Sequence, residues 1–339
     1  MKTQTGASRG VKLAACLVAV VVVLGLGAPW IAPFDPNTQP DSSGAGLRPP
    51  GTTLYTVPLS HHRWILADSY ERQGDQWVFV SNTPSRDLER RVPVDQVLQD
   101  APFPRRVFLM GTDAFSRDIV SRWLYGARVS LTIALLSVLL ASSLGIAVGA
   151  FAALGPRVLD VLLMRMVDGL MSFPWLFLLI ALAAFVPMGT TTLVLILGCT
   201  SWMTTSRLAR SEIQSLRQRE FVLAARGLGM SEIRIFFRHI LPNAWTPLWV
   251  AAALQVGYLI LAEASLSFLG YGVTPPDASW GNMIATGRQY LSTAWWILTF
   301  PALGLIITVV SLHWIADFLR DRFDPRHTQF SAAQKHADR

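Results

Sequence analysis

Long apolar stretches alternate with charge-bearing segments along this chain. Five stretches contain at most one acidic or basic side chain each: residues 13–31, 129–154, 169–206, 244–270 and 289–316. A helix needs about 20 mostly apolar residues to cross roughly 30 Å of hydrocarbon. The pattern therefore predicts a membrane protein with several spanning helices.

The longest apolar stretch is expected to form two helices, because Pro187 and Gly189 interrupt it and proline removes a backbone donor. Six spanning helices are thus predicted, at residues 13–32, 129–154, 166–187, 190–206, 245–270 and 291–316. Lipid admits only helices and closed barrels, and these stretches lack the alternation of barrel strands. The predicted fold class is an all-α integral membrane protein with a small extracytoplasmic insert between helices 1 and 2.

The polar segments complete the predicted domain organisation. In chain order the parts are a cytoplasmic N-terminus (1–12), the first transmembrane helix (13–32), an extracytoplasmic linker with a small α+β insert (33–106), an interfacial helix (107–128), a five-helix core with a cytoplasmic loop at 207–243 (129–318), and a cytoplasmic tail (319–339).

The insert has a few local signals. A turn at Gly74 between the apolar segments 64–67 and 77–80 predicts a hairpin, and residues 92–98 suit a short helix. So small a unit buries little core alone, so we expect it to lean on the core or on a partner. Contact with a delivery protein or gate and a family-specific decoration remain equal alternatives. The adjacent His61 and His62 favour a surface loop over a metal site.

Residues 107–128 are interpreted as an interfacial helix that leads into the second span. Thr112 or Asp113 can cap such a helix at its start. Its apolar side would carry Ile119, Val120, Trp123 and Leu124.

Loop charges predict the orientation, since Lys and Arg accumulate in cytoplasmic loops. With six crossings, the two short loops on one side hold a single basic residue, Arg288. Both termini and the loop 207–243 lie on the other, basic side, which we assign to the cytoplasm. The first span is expected to be a retained anchor; a cleaved signal peptide is the alternative, but its apolar stretch is long and Pro29 follows Ala28.

The loop 207–243 is the most distinctive polar segment. It carries seven arginines, Arg207, Arg210, Arg217, Arg219, Arg226, Arg234 and Arg238. It has helical spacing with a break at Gly227 and Gly229. A basic, interrupted helical loop between two spans suits docking of a soluble partner on the cytoplasmic side, although a helix lying on the bilayer surface explains the same pattern.

Composition agrees with a membrane protein. The chain is 52% hydrophobic and 15% charged, against roughly 25% charged in soluble domains. The net charge of +7 comes largely from loop arginines. The sequence has no stripe of basic residues interleaved with aromatic ones, so nucleic acid is not an expected partner. Cys16 and Cys199 lie in predicted spans and suit packing rather than a disulfide or metal pair.

No catalytic, cofactor or metal site is predicted in this chain. A nucleotide-binding P-loop needs a Gly-rich turn with a lysine, and the three lysines, Lys2, Lys12 and Lys335, lie in no such turn. Two charges within spans are candidate functional sites. Asp168 is expected to pair with Arg165 on the same helix face, and Glu263, among small neighbours, is expected to serve helix packing.

Several segments together resemble one family. They are GTDAFSRDIVSRWLYGARVSL (111–131), MRMVDGLMSFPW (164–175), EFVLAARGLGMSEIRIFFRHILPN (220–243), LAEASLSFLGYGVTPPDASWGNMI (261–284) and LRDRFDPR (319–326). Their order and spacing are similar to the permeases of bacterial ABC importers in the dipeptide/oligopeptide/nickel group, specifically the second of two paired permeases. Leu223 stands where this group commonly has Glu, and Ser116 where it usually has Gly. The insert is not covered well.

The resemblance implies a type I ABC importer permease in the bacterial inner membrane. Its expected partners are a second permease, two ATP-binding cassette subunits that bind ATP and Mg, and an extracytoplasmic solute-binding protein. The expected cargo is a peptide, with nickel complexes or another small solute as the alternative and a non-transporting scaffold for an ATPase as a less favoured one. The coupling helix would lie at 222–237, and the ATPase-docking residues would be Leu223, Ala224, Ala225, Arg226, Gly227, Gly229, Leu241 and Pro242.

Overall fold

The computed structural model describes residues 2–39, 46–59, 63–82 and 87–323. The α-helices are α1 (Lys2–Leu26), α2 (Ala28–Ile31), α3 (Ile119–Leu154), α4 (Arg157–Met171), α5 (Trp175–Ala183), α6 (Thr190–Arg217), α7 (Glu220–Gly227), α8 (Glu232–Ile235), α9 (Leu241–Phe268), α10 (Trp280–Gly287) and α11 (Trp296–Phe323). The strands are β1 (Thr52–Leu59), β2 (Arg63–Ala67), β3 (Ser69–Gln73), β4 (Gln76–Asn82), β5 (Asp87–Pro93) and β6 (Arg105–Phe108). The pair His61 and His62 and the tail beyond residue 323 lie outside the described residues.

The chain divides into two compact units. The core unit comprises Met1–Val20, Leu131–Leu266 and Ile307–Arg339. The insert-bearing unit comprises Val21–Ser130 and Ser267–Ile306.

The prediction of six spans is confirmed in part. Among the described residues, three helical segments are long and apolar enough to cross a membrane, Ile119–Leu154, Glu232–Phe268 and Trp296–Asp321, and the bent pair α4 and α5 makes a fourth if it is one span. The apolar part of α1, Gly10–Leu26, is shorter, and α6 is long but rich in threonine and serine. Helices therefore occur at all six predicted places, without six meeting the length and hydropathy requirement.

The helix predicted at 166–187 is wrong as a single straight span. The chain bends by 81° between α4 and α5. Pro174 precedes the first residue of α5 with φ −59° and ψ 117°, outside the helical region. Proline lacks the N–H that would continue the helix and disfavours helical backbone at the residue before it. The Ser172 hydroxyl donates to the Gly169 carbonyl at the end of α4.

The interfacial helix predicted at 107–128 is also wrong. Strand β6 and a loop occupy its first half, and α3 begins at Ile119 and continues to Leu154 without a break. Asp118 caps it rather than Thr112 or Asp113, because an Asp118 carboxylate oxygen accepts from the backbone N–H of Ser121 at 2.7 Å.

A buried ionic cluster organises the loop before α3 in the insert-bearing unit. Asp113 Oδ2 accepts from Arg117 Nε at 2.7 Å, and its Oδ1 accepts from the Arg117 backbone N–H at 2.9 Å. Arg122 Nη1 donates to the Pro36 carbonyl at 3.0 Å. Ser116 has φ +62° within this loop, a conformation that glycine adopts at least cost.

The insert is built of strands rather than the predicted α+β mixture. It forms two antiparallel three-stranded sheets, with strand orders β2-β1-β6 and β3-β4-β5. The expected turn at Gly74 is present, but it joins β4 to β3, while segment 64–67 lies in β2 and pairs with β1. Instead of a helix at 92–98, β5 ends at Pro93 and a single 3-10 turn follows at Val94–Gln96.

The two sheets share an apolar core, which corrects the expectation that the insert would bury little by itself. The buried side chains of this core are Val57, Leu59, Ile65, Ala67, Trp77, Phe79, Val92 and Phe103. The rings of Trp77 and Phe103 meet edge to face with centroids 5.3 Å apart. Alternation along β1 and β4 places these residues on one face of each sheet.

Candidate functional site

The segment predicted as a coupling helix, 222–237, is two short helices with a turn between them. Helix α7 ends at Gly227 and α8 begins at Glu232. A π-helical turn, Phe236–Ile240, then leads into α9. The predicted loop 207–243 therefore begins with the last turns of α6, which continues to Arg217, and its middle is a pair of short helices between α6 and α9.

Gly229 shapes the turn after α7. Its φ is +77°, in the left-handed region. The Gly229 N–H donates to the Arg226 carbonyl at 3.0 Å, and the Met230 N–H donates to the Ala225 carbonyl at 3.2 Å. These two bonds form a Schellman motif, in which glycine is the usual left-handed residue. Gly227 lies inside α7 and has no positive φ, so the bend depends on Gly229 alone.

An ion pair spans the same turn. Arg226 Nε lies 2.6 Å from Glu232 Oε1, and a second guanidinium nitrogen lies 3.1 Å from Oε2. This two-point contact joins the end of α7 to the start of α8. The hydrogen bonds that Arg226 donates to Glu232 hold the pKa of Arg226 above its ordinary value, so its guanidinium is charged at neutral pH.

The inner side of the loop is fixed to the core unit. Val222, Ala225 and Ile235 are buried against Ile213 of α6 and Ile240. Ala225, one of the residues predicted for ATPase docking, is 5% exposed and packs on the chain's own core. Small size at this position serves the close approach of α7 to α6.

The outer side of the loop presents large apolar side chains. Leu223 is 51% exposed, Leu228 83%, Ile233 75% and Phe237 63%. Ala224 is also exposed, and it precedes the buried Ala225 by one position. Such concentrated apolar exposure on a short, internally braced element is typical of a surface that another molecule covers.

Leu241 and Pro242 close the loop on the side of α9. Leu241 packs against the buried core of the loop, whereas Pro242 is exposed. Proline has no N–H to donate, and the Leu241 N–H donates to the Phe236 carbonyl five residues back, which gives the π-helical turn. The Asn243 side chain donates to the His239 carbonyl at 2.6 Å.

Three arginines of the loop region bind the chain's own helices. Arg210 makes a two-point contact with Asp160 of α4, with Nη2 2.6 Å from Oδ2. Arg207 pairs with Asp168 of α4, and Arg217 donates to the Ala153 carbonyl at the end of α3. The predicted pairing of Asp168 with Arg165 is therefore wrong. The local spacing indicated a partner one turn away, and the actual partner lies on a different helix.

Glu263 of α9 is fully buried. Its expected role in helix packing stays a prediction. Sequence reasoning missed Asp160 and the exposed Ile233 and Phe237. Asp160 binds Arg210, which lies 50 positions away in the sequence, so local spacing does not indicate the contact. Ile233 and Phe237 look like ordinary apolar positions until the turn places them outside.

Comparison with known proteins places this fold and loop in a family. Residues 145–329, more than half of the chain, match the family described as "Binding-protein-dependent transport system inner membrane component". The chain belongs to this family. It is the permease component of a binding-protein-dependent ABC importer, and it resides in the inner membrane.

Named relatives of this permease agree. It is 37% identical over 307 residues to the di/tripeptide transport system permease protein DppC of Pseudomonas aeruginosa (strain UCBPP-PA14), covering 91% of this chain and 85% of that protein. It is 44% identical over 218 residues to a protein of Brucella suis biovar 1 (strain 1330) that is provisionally named a peptide permease, covering 64% of this chain and 72% of that protein.

A solved structure shares the fold. The MetNI methionine ABC transporter, in an inward-facing conformation, matches with a TM-score of 0.50 at 18% identity, over 59% of this chain and 95% of that chain. The predicted type I ABC importer permease fold is thereby confirmed.

Proposed function

We propose that this permease imports short peptides, and that the loop 207–243 receives the mechanical work of ATP hydrolysis performed on separate subunits. A second permease completes the pathway, two ATP-binding cassette subunits bind ATP and Mg, and an extracytoplasmic binding protein delivers the cargo. The observation that carries the proposal is the exposed apolar outer side of the loop, supported by an inner side that is packed and ion-paired.

The geometry favours transmission of force through this loop. Val222 and Ile235 fix it to α6 from inside, and the Arg226–Glu232 pair and the Gly229 turn fix α7 against α8. A rigid element that moves with a docked partner can bias a two-state membrane domain, whereas a floppy loop would absorb the motion. Ala224, Leu223 and the other exposed residues supply the contact surface.

The orientation belongs to the same proposal. Arginines in the loop 207–243 and basic residues in both terminal segments support a cytoplasmic location for these parts, by the rule for loop charges. The β-sheet insert then lies outside the membrane on the opposite side, where a binding protein delivers substrate.

Peptide cargo is proposed from the relatives, whose names refer to peptides and to di- and tripeptides. A nickel complex or another small solute is the alternative cargo. Uptake of labelled trialanine and of ⁶³Ni²⁺ by vesicles that contain the complete importer separates the two: peptide uptake without nickel uptake supports the proposal, and nickel uptake alone contradicts it.

The docking claim is tested by charge placed on the outer side of the loop. We expect Leu228→Asp and Ile233→Asp to abolish co-purification of the ATPase subunits and to stop uptake, because a carboxylate would be buried in an apolar contact. The permease should reach the membrane in normal amounts, since both side chains are exposed.

Leu98→Asp is the matched control, because Leu98 is 68% exposed and lies in the insert. It should leave ATPase association unchanged. Retained association and uptake in both loop variants would contradict docking. Normal ATPase association without any solute flux in the wild type would favour a scaffold instead.

A further inference from the structure

The core unit contains a cavity of about 630 Å³. This volume falls within the ~300–1,000 Å³ typical of small-molecule sites. The lining comes from α4, α5, α6, α9 and α11, and it includes Trp175, Ser201, Gln255, Tyr258 and His313. None of the described residues that line it is Asp, Glu, Lys or Arg.

The bend between α4 and α5 lies at the edge of this cavity. Met171, Phe173 and Trp175, around the break at Pro174, all line it. Non-helical backbone at membrane depth is tolerated only where it is buried in protein or lines a water-filled cavity. Residues 171–174 are exposed in this chain, so the break is not buried within it. Broken helices frame substrate sites in other membrane transporters.

One wall of the cavity has unused hydrogen-bonding capacity. Ser201 is 9% exposed, and its hydroxyl has no hydrogen-bond partner within the described part of the chain. An unpaired buried hydroxyl costs roughly 1–3 kcal/mol. An unpaired hydroxyl beside a cavity is suited to bind a polar group of a molecule that enters the cavity.

Gln255 organises the same wall. Its Nε2 donates to the Ser201 carbonyl at 2.8 Å, and its Oε1 accepts from the Thr205 hydroxyl at 3.4 Å. These bonds join α9 to α6 and hold the Gln255 amide against the backbone of Ser201. Aromatic rings supply an apolar part of the lining: Trp175 and Tyr258 both line the cavity, with their ring centroids 4.9 Å apart.

We infer that this cavity is a substrate-binding site within this single subunit, which takes the amide backbone of a peptide through Ser201 and Gln255 and accepts its side chains against Trp175 and Tyr258 without selecting their charge. The inference rests on the proposed peptide function. It disfavours a metal complex as cargo, because a metal prefers imidazole and carboxylate ligands, and His313 is the one such group among the described residues of the lining.

The first test removes the Ser201 hydroxyl. Ser201→Ala removes an unpaired buried polar group, so we expect the thermal unfolding midpoint of the purified complex to be equal or higher. A fall in uptake then cannot be ascribed to lost stability. Trialanine uptake at saturating binding protein should nevertheless fall about three- to tenfold, the effect of one lost hydrogen bond.

Ser265→Ala is the matched control for that variant. Ser265 lies on α9, is exposed, and bonds only the Leu261 carbonyl of its own helix among the contacts described. Its uptake should equal that of the wild type. Wild-type uptake in Ser201→Ala would overturn the inference.

The second test places a charge in the uncharged cavity without changing its shape. Gln255→Glu should change the ratio of Ala-Lys-Ala to Ala-Glu-Ala uptake about tenfold in favour of the lysine peptide, since like charges repel at low dielectric. Both rates are measured with the binding protein saturated. A ratio within about twofold of the wild type in an assembled complex would contradict the inference. If the Gln255→Glu complex does not assemble, the Ser201→Ala result decides.

These outcomes separate the inference from the function beneath it. If the wild-type importer moves none of the three peptides, both the peptide function and the cavity assignment fail. If the wild type moves them and either variant, in an assembled complex, leaves the uptake unchanged, the cavity assignment fails while peptide import stands.

Discussion

Gly229 carries more of the loop's shape than any other single residue. An added Cβ would meet nothing within 4 Å, so the position is constrained by its φ of +77° and not by space. A residue other than glycine costs about 1–2 kcal/mol in this conformation, and asparagine and aspartate tolerate it best. Substitutions here can therefore separate the backbone requirement from the chemistry of the outer surface.

We predict that Gly229→Asp stops transport and weakens ATPase association with near-normal membrane insertion. Asparagine has nearly the same shape as aspartate and tolerates left-handed backbone about as well, but it carries no charge. Gly229→Asn should therefore keep most of the uptake. Peptide uptake and ATPase co-purification measure both. Equal loss in the two variants would show that the turn, and not charge at a docking surface, is what matters.

Asp160 and Arg210 form the second prediction about individual residues. Their side chains are 16% and 31% exposed, so their contact is only partly screened. The hydrogen bond that Arg210 donates to Asp160 holds the pKa of Arg210 above its ordinary value. We predict a coupling energy of about 0.5–3 kcal/mol between Asp160→Asn and Arg210→Met in a double-mutant cycle of thermal unfolding.

The exposed pair Glu89 and Arg91, at 52% and 63% exposure, is the control for that cycle. It should give about 0–1 kcal/mol. No coupling between Asp160 and Arg210 would mean that their contact does not fix α4 to α6.

Local chemistry in the sequence indicated some residues and not others. Gly229 was recognisable, because a glycine directly after an amphipathic segment is a C-terminal capping signal. The partner of Asp168 was not, because Arg207 is 39 positions away and only tertiary packing brings it near. The resemblance led us to expect glycine at position 116, and the φ of +62° at Ser116 is a conformation that glycine adopts at least cost.

Among the helices and strands, hydrophobic pattern predicted existence better than geometry. The apolar stretches all became helices, but Pro174 bends one of them by 81°, and the sequence gives no angle for such a break. In the insert, Gly74 marked the correct turn, yet the strand beside it could not be chosen from local pattern. Strand pairing depends on which faces bury together, and that is a property of both sheets.

The bend between α4 and α5 supplies a prediction about these elements. Pro174→Ala restores a backbone N–H and removes the restriction on Phe173, so it should favour one continuous helix. Spin labels at positions 161 and 181 should then move apart, toward about 30 Å for a straight 20-residue helix. Trialanine uptake should fall, because the bend lines the cavity.

Spin labels at positions 191 and 211, both on α6, give the reference distance for an unbroken helix. An unchanged 161–181 distance in Pro174→Ala would show that tertiary packing, and not the proline, holds the bend.

For the molecule as a whole, the family match establishes an inner-membrane permease. We propose that its loop 207–243 docks on an ATPase subunit, because the outer side of the loop is apolar and exposed while its inner side is packed against the core unit. A photoreactive phenylalanine derivative at position 228, which is 83% exposed, tests it most directly in the intact importer. We expect a covalent adduct between position 228 and an ATP-binding cassette subunit, and no such adduct when the photoreactive group is placed at position 98. Adducts at position 228 with lipid alone would contradict it.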